Sequence, residues 1–108
     1  IGAGFVFLLT HPDKPGWVNI GLGCYGTIYE VPEEPYWGDW EIHRYRHVED
    51  VARAERLIWR LLGKPLPHER EPIRMHLDEA EDAFRQLIYV LRAQIAHEER
   101  SREGKAHD

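Results

Sequence analysis

The stretch Gly4-Phe-Val-Phe-Leu-Leu-Thr10 decides the fold, and it is followed by His11-Pro-Asp-Lys-Pro-Gly16 and by Trp17-Val-Asn-Ile-Gly21. The first stretch is short, β-branched and aromatic, which favours a strand that is buried on both faces. Two prolines and a glycine follow and end the strand, because proline has no backbone N–H to donate a hydrogen bond to a neighbouring strand. The three segments together predict a β-hairpin with a six-residue loop.

After the hairpin the pattern predicts an ordered loop, a strand, a helix and another strand. Residues 22–39 keep no periodicity for long, and we interpret them as the loop. Trp40–Arg46 alternates apolar and polar side chains at first, which predicts a third strand. His47–Leu62 has apolar residues at steps of three and four, which predicts a helix that stops at Gly63. Alternation over 73–77 predicts a short fourth strand.

A second long helix is predicted to begin at Asp78, whose side chain would cap its N-terminus. Its apolar face runs to Ile95, and the chain past about His97 is polar and expected to fray. Residues 1–98 therefore predict a single small α+β domain, with residues 99–108 as a polar tail. The expected architecture is a central antiparallel sheet of three to four strands flanked by helices.

Composition narrows the class of protein. The chain has 108 residues, 43% of them hydrophobic and 31% charged, which is typical of one folded domain. The longest apolar run, Phe5–Leu9, is far shorter than the roughly 20 residues that span a bilayer, so no membrane segment is expected. Cys24 is the single cysteine, which excludes an internal disulfide and favours a reducing, cytoplasmic setting.

Charge is distributed unevenly along the chain. The net charge is −5, and residues 1–50 contain three basic side chains against eight acidic ones. Residues 51–108 contain eleven of each and are neutral. Affinity for a nucleic-acid backbone comes largely from Lys and Arg, so the acidic first half argues against tight, non-specific binding to a duplex. A small basic groove is still compatible with this distribution.

Four segments follow one another at a spacing found in a known enzyme superfamily. They are Gly4-Phe-Val-Phe7, Pro15-Gly-Trp-Val-Asn-Ile-Gly21, Val48-Glu-Asp-Val-Ala-Arg-Ala-Glu-Arg-Leu-Ile-Trp59 and Glu71-Pro-Ile-Arg-Met-His-Leu-Asp78. In this order they resemble the GIY-YIG endonucleases, specifically the phage-associated branch of that superfamily. The resemblance covers residues 4–91 apart from 22–39. It implies a GIY-YIG-like fold and descent from enzymes that hydrolyse the phosphodiester bonds of DNA with Mg²⁺.

The resemblance also assigns the family's catalytic positions, and most of them are replaced. Phe7 stands where the superfamily has a tyrosine, Asn19 where it has tyrosine or lysine, and Trp59 where it has a histidine. Phenylalanine has no proton to exchange, and no Arg or Lys occurs between residues 14 and 44 to stabilise a phosphoryl charge. Glu55 is retained as the candidate Mg²⁺ ligand, and the alternative is an ordinary solvated helix residue, since one carboxylate makes a poor Mg²⁺ site by itself. The resemblance therefore implies an inherited fold with impaired catalysis.

An aromatic cluster is the least ordinary feature of the sequence. Its seven members within 29 residues are Trp17, Tyr25, Tyr29, Tyr36, Trp37, Trp40 and Tyr45. If exposed, Tyr25, Trp37 and Trp40 would stack on bases or anchor a protein partner. Alternatively, the cluster fills the volume that the missing family helix would occupy.

A row of arginines is predicted on the first helix, and we call it the arginine strip. The strip consists of Arg53, Arg56 and Arg60, which lie three and four residues apart. Arg44 and Arg46 are expected on the same side. The strip either contacts phosphate or is a solvated face paired with Glu49 and Glu55.

A pair of histidines, His43 and His47, is four residues apart and would share a face of the third strand. The spacing suits two ligands of a metal ion, but the sequence supplies no third ligand at a recognisable distance. Isolated pairs of histidines are common on protein surfaces, and we favour that interpretation.

The residues leave three functions open. The first is a nuclease-like module that has lost cleavage and binds nucleic acid or a protein through the aromatic cluster and the arginine strip. The second is an active Mg²⁺-dependent DNA endonuclease that uses a displaced hydroxyl, from Tyr25 or Tyr29, with Glu55 holding the ion. The third is an acidic protein-binding or inhibitory domain. We favour the first.

Overall fold

A computed structural model describes residues 2–24, 40–66 and 72–106 of the chain. In these ranges it contains four strands and two helices, which confirms the predicted α+β class. The strands are β1 (Gly4–Thr10), β2 (Trp17–Cys24), β3 (Glu41–Val48) and β4 (Ile73–Arg74), and the helices are α1 (Val51–Leu61) and α2 (Leu77–Ala106).

The strands form one antiparallel sheet in the order β3-β1-β2-β4. The predicted hairpin of β1 and β2 is confirmed, and β2 continues beyond Gly21 because Cys24 pairs with Gly4. In the connecting loop the Lys14 amide donates to the His11 carbonyl at 3.2 Å. Gly16 has a φ of 86°, a left-handed conformation that glycine adopts without a steric cost. The turn of the hairpin thus lies at residues 11–16, where the prolines and the glycine led us to predict it.

Strand β3 contains a bulge and runs further than predicted. Leu8 of β1 pairs with Arg44 while Leu9 pairs with Ile42, so His43 is the extra residue. The strand also continues to Val48, which is buried and pairs with Gly4. The prediction of a helix from His47 onward was therefore wrong at its first four residues, because His47 and Val48 pair with β1 and Asp50 is the N-cap of the helix.

Helix α1 is defined by its two caps. The Asp50 side chain accepts a hydrogen bond from the Arg53 amide at 3.0 Å and caps the N-terminus. At the other end the Gly63 amide donates to the Arg60 carbonyl and the Lys64 amide donates to the Trp59 carbonyl, both at 3.0 Å. This is a Schellman motif, and the φ of 73° at Gly63 explains why the predicted stop is a glycine.

Helix α2 differs from its prediction at both ends. It begins at Leu77, and the His76 carbonyl accepts from the Glu79 and Ala80 amides, so Asp78 lies inside the first turn and is not the cap. It continues to Ala106, so residues 99–106, which were predicted to belong to a polar tail, are helical in this structure. At 1.5 Å per residue its length is about 45 Å. Among the described residues, no helix combines the length and the apolar character needed to cross a membrane.

Both helices pack on one face of the sheet. Val6 and Leu8 of β1 and Val18 and Ile20 of β2 join a single hydrophobic core with side chains of α1 and α2. The alternation of a strand places the intervening residues on the opposite face. The largest fully buried side chains include Phe84, Leu8, Leu9, Ile20 and Ile58. The two helices thus cover one face of the sheet, and α1, which carries the arginine strip, is one of them.

Candidate functional site

The hairpin positions that the resemblance assigned to catalysis are buried. Phe7 is 7% exposed and Asn19 is fully buried, and both lie on the sheet face away from the helices. The Asn19 Oδ1 accepts a hydrogen bond from the Ile20 amide at 2.8 Å. Its Nδ2 has no hydrogen-bond partner among the residues that the structure describes. Neither side chain offers an exposed group that can donate or accept a proton at a phosphate.

The two α1 residues that the resemblance assigned do not belong to the arginine strip. Successive helix residues are about 100° apart, so Glu55 is nearly opposite Arg53 and Arg60. Glu55 is half-buried. Trp59, at the position of the family's histidine, is 4% exposed and belongs to the hydrophobic core. Glu55 and the arginine strip therefore do not form one site on α1.

The metal-binding prediction for Glu55 requires further ligands. Mg²⁺ prefers six oxygen ligands, and one carboxylate supplies only one or two of them. Within residues 2–24, 40–66 and 72–106, no group of three or more His, Cys, Asp and Glu side chains is placed to hold a metal ion. The described residues around Glu55 thus do not make a divalent-metal site by themselves.

The arginine strip, in contrast, forms one wall of a groove between α1 and α2. The groove has a volume of about 360 Å³. Its opposite wall comes from α2, and Leu57 lies between the two walls. Its lining residues are Arg53, Arg56, Leu57, Arg60, Gln94, His97 and Glu98. We call it the arginine groove; it contains three permanent cations and one carboxylate.

The three arginines differ in their partners. The Arg53 Nη2 lies 2.7 Å from the Glu98 Oε1, with the two side chains 30% and 41% exposed. Arg56 and Arg60 are exposed and form no ion pair within the described part of the chain. In the described residues the ion pair of the strip is therefore made to Glu98 of α2, and the alternative of pairs with Glu49 and Glu55 is not observed there. Two cations remain available to an anion from solution.

Arg44 and Arg46 do not join the strip, so the prediction of one five-arginine side was wrong. The Arg44 Nη2 lies 3.8 Å from the Glu81 Oε2, and the Arg46 Nη1 donates to the Tyr45 carbonyl at 2.9 Å. Glu81 precedes Glu98 by seventeen positions on α2, which is about 25 Å along the helix. Arg44 and Arg53 therefore contact opposite halves of α2.

The bulge of β3 separates the two histidines that the sequence suggested as metal ligands. His43 faces α2, and its Nε2 lies 2.5 Å from the Glu81 Oε1. His47 lies against Phe5 on the opposite face, with ring centroids 5.4 Å apart. The prediction that these rings share a face was wrong, because the extra residue of a bulge reverses the alternation. The hydrogen bond from His43 holds the pKa of Glu81 below 4.5, opposed by partial desolvation and aided by Arg44.

A second cavity of about 480 Å³ adjoins the arginine groove along the seam between α1 and α2. Arg53 and Glu98 line both cavities, so the ion pair between them marks the boundary. Three apolar side chains of α2, four carboxylates and three arginines line the second cavity. These residues are Ile88, Leu91 and Ile95, then Glu49, Asp50, Glu98 and Glu99, and then Arg53, Arg92 and Arg102. We call it the mixed-charge cavity.

The aromatic cluster can be followed only in part. Tyr25, Tyr29, Tyr36 and Trp37 lie outside the described residues. Trp40 is half-buried, and its ring meets His11 edge to face at 5.5 Å. Tyr45 is 59% exposed and contacts the edge of Phe5, so these two aromatic residues lie apart from the arginine groove.

In comparisons with known proteins, no family model, curated protein or solved structure matches the chain. The arginine strip is predictable from the sequence, whereas its α2 partners Gln94, His97 and Glu98 were not assigned to a site. The helix continues past His97, where fraying was predicted, and this places Glu98 on the helix beside the groove. The candidate site is therefore the seam between α1 and α2.

Proposed function

We propose that this domain is a divergent GIY-YIG-like module that binds nucleic acid through the arginine groove and does not cleave it. One observation carries the proposal: Arg56 and Arg60 line a concave groove and are exposed without an acidic partner in the described residues. Like charges held side by side are unfavourable unless an anion neutralises them. A phosphate backbone is the commonest polyanion that arginine recognises in this way.

The fold supports a nuclease-like origin. The β1–β2 hairpin packs against α1, the helix that carries Glu55. This arrangement is expected of a GIY-YIG-like fold. The replaced positions support the loss of cleavage, because Phe7 and Asn19 are buried and neither can activate a nucleophile. Removal of one charge-stabilising donor typically lowers a rate by about 10² to 10³, and several are replaced here.

Binding through the arginine groove requires no divalent metal. The single cysteine, Cys24, fits a cytoplasmic protein that meets nucleic acid in a reducing compartment. Because the net charge is −5, binding is expected to be local to the groove and not spread over the surface.

The test combines a cleavage assay with a binding assay on the same protein. Supercoiled plasmid incubated with Mg²⁺ or Mn²⁺ is expected to stay intact, while labelled oligonucleotides are retained by the wild type and released by Arg56→Ala/Arg60→Ala. Metal-dependent nicking that disappears in Glu55→Ala would instead establish an active endonuclease. Stable binding to a protein partner with no oligonucleotide binding at low salt would establish a protein-binding domain.

A further inference from the structure

His97 of α2 lines the arginine groove on the wall that faces the arginine strip. Its imidazole therefore shares one cavity of about 360 Å³ with three guanidinium groups and one carboxylate. The side chain is exposed, and within the described part of the chain it forms no ion pair or hydrogen bond. The groove thus contains a titratable group that no contact between the described residues accounts for.

The number of cations that the groove offers depends on the protonation state of His97. Arg53 pairs with Glu98 at 2.7 Å, and Arg56 and Arg60 are exposed without an ion pair in the described residues. Histidine is the side chain that ordinarily gains or loses its charge between about pH 5 and pH 8. Protonation of His97 adds a third available cation to the two arginines.

From this arrangement we infer that His97 is a pH-dependent phosphate contact of the arginine groove, and that it tightens the binding of a nucleic-acid backbone as the pH falls. The inference rests on the proposed function and assigns a further binding residue to the same site. A phosphate that lies against Arg56 and Arg60 meets His97 on the facing wall. The protonated ring donates from both nitrogens, and its hydrogen bonds to phosphate oxygens are stronger than those of a neutral donor.

The α2 wall of the groove presents two donors on one side of the helix. Gln94 and His97 are three residues apart, so they are neighbours on the helix surface. The Gln94 amide is neutral at every pH and can donate a hydrogen bond to a phosphate without changing its charge. His97 supplies the part of the contact that depends on pH. The two walls together surround a phosphate with arginine on one side and with an amide and an imidazole on the other.

The charged groups around His97 are mostly cations. The arginine strip faces it from α1, and Arg100 lies three residues further along α2. Glu98 is the carboxylate that lines the groove, and it is already paired with Arg53. A bound phosphate adds negative charge beside the ring and favours its protonated form. Because such coupling is reciprocal, protonation of the ring must in turn favour binding of the phosphate.

The experiment measures affinity by fluorescence anisotropy at about pH 6 and about pH 8, on either side of the range in which histidine titrates, at one salt concentration. The labelled ligands are oligothymidylate and oligouridylate, each alone and paired with oligoadenylate. Thymine and uracil take up no proton in this range, so the ligand contributes no pH dependence of its own. We expect the wild type to bind about fivefold tighter at the lower pH, which is the effect of one partly solvated charge pair.

Two variants of His97 and one control identify the group that titrates. His97→Asn is uncharged and should bind at both pH values as weakly as the wild type does at the higher one. His97→Arg is permanently charged and should bind tightly at both, a response to charge that a purely structural role would not give. His76→Asn is the matched control, because His76 is an exposed histidine just before α2, about 30 Å from His97 along the helix. It should keep the pH dependence of the wild type. Circular dichroism at both pH values verifies the fold.

The outcomes separate this inference from the function on which it rests. Equal affinity of the wild type at both pH values, a pH dependence that His97→Asn retains in full, or a His97→Arg variant that binds no tighter than the wild type at the higher pH would overturn the role of His97. If binding were still lost in Arg56→Ala/Arg60→Ala, the proposed function would stand. Absence of binding to every ligand at both pH values would overturn both.

Discussion

His43 donates a hydrogen bond from its Nε2 to the Glu81 Oε1 at 2.5 Å and so joins the bulge of β3 to the first half of α2. The Arg44 Nη2 lies 3.8 Å from the other oxygen of the same carboxylate. Because both partners come from the bulge, the extra residue of β3 is what brings a histidine and an arginine to one glutamate. The contact ties the edge strand of the sheet to the helix that forms half of the seam.

This contact predicts how stability changes with pH. The partners of Glu81 lower its pKa below 4.5, the value expected in the unfolded chain. A carboxyl with a lowered pKa stabilises the fold fully above its unfolded pKa, and that contribution is lost as pH falls through the folded pKa. Glu81→Gln should therefore reduce stability at pH 6 and flatten the pH dependence below about pH 4.5, as measured by urea unfolding.

The control for this prediction is Glu41→Gln on β3. Glu41 is exposed and forms no ion pair in the described residues, so its replacement should leave the pH dependence as in the wild type. An identical pH profile for Glu81→Gln and the wild type would contradict the assigned role of Glu81.

The arginine groove predicts that its three arginines divide into structural and binding residues. Arg53→Ala removes the 2.7 Å pair with Glu98 and should lower the free energy of unfolding by about 1 kcal/mol or less, since both side chains are partly solvated. Arg56→Ala and Arg60→Ala should change it by less than about 0.5 kcal/mol, because no pair is lost. Urea unfolding of the three variants measures the difference. Equal destabilisation by all three would indicate that Arg56 and Arg60 support the fold.

The cap of α1 gives a prediction that is independent of function. Asp50→Ala should destabilise the protein by about 1 kcal/mol, because the Arg53 amide loses its acceptor, whereas Asp50→Asn should preserve most of the stability. Thermal unfolding of both variants tests this. If the two variants lost the same stability, the hydrogen bond to the Arg53 amide would not be the source of the effect.

The strands were predictable from sequence wherever local pattern and tertiary pairing agreed. The apolar run from Gly4 to Thr10 has the bounds of β1 because it lies between two neighbouring strands and five of its seven residues are buried. The start of α1 was misplaced because Val48 fits a helical period equally well, and only its pairing with Gly4 shows it to be extended. The bulge at His43 has no local sequence signal, so the separation of the two histidines could not be predicted.

The site was predictable in one half only. Arg53, Arg56 and Arg60 share a stripe that follows from helical geometry, and the sequence supplied it directly. Gln94 and Glu98 belong to the same groove because α2 packs along α1, which is a long-range contact that no local pattern encodes. The sequence therefore predicts the arginine strip, but the groove that it lines with α2 is seen only in the structure.

Binding of nucleic acid through the arginine groove is tested by the salt dependence of its affinity. For a single strand, each phosphate contact contributes about 0.7 to the slope of log affinity against log salt concentration. The account predicts that Arg56→Ala/Arg60→Ala binds more weakly than the wild type and has a slope that is shallower by about 1.4, twice the contribution of one contact. The same affinity and the same slope in the two proteins would contradict binding through the arginine groove.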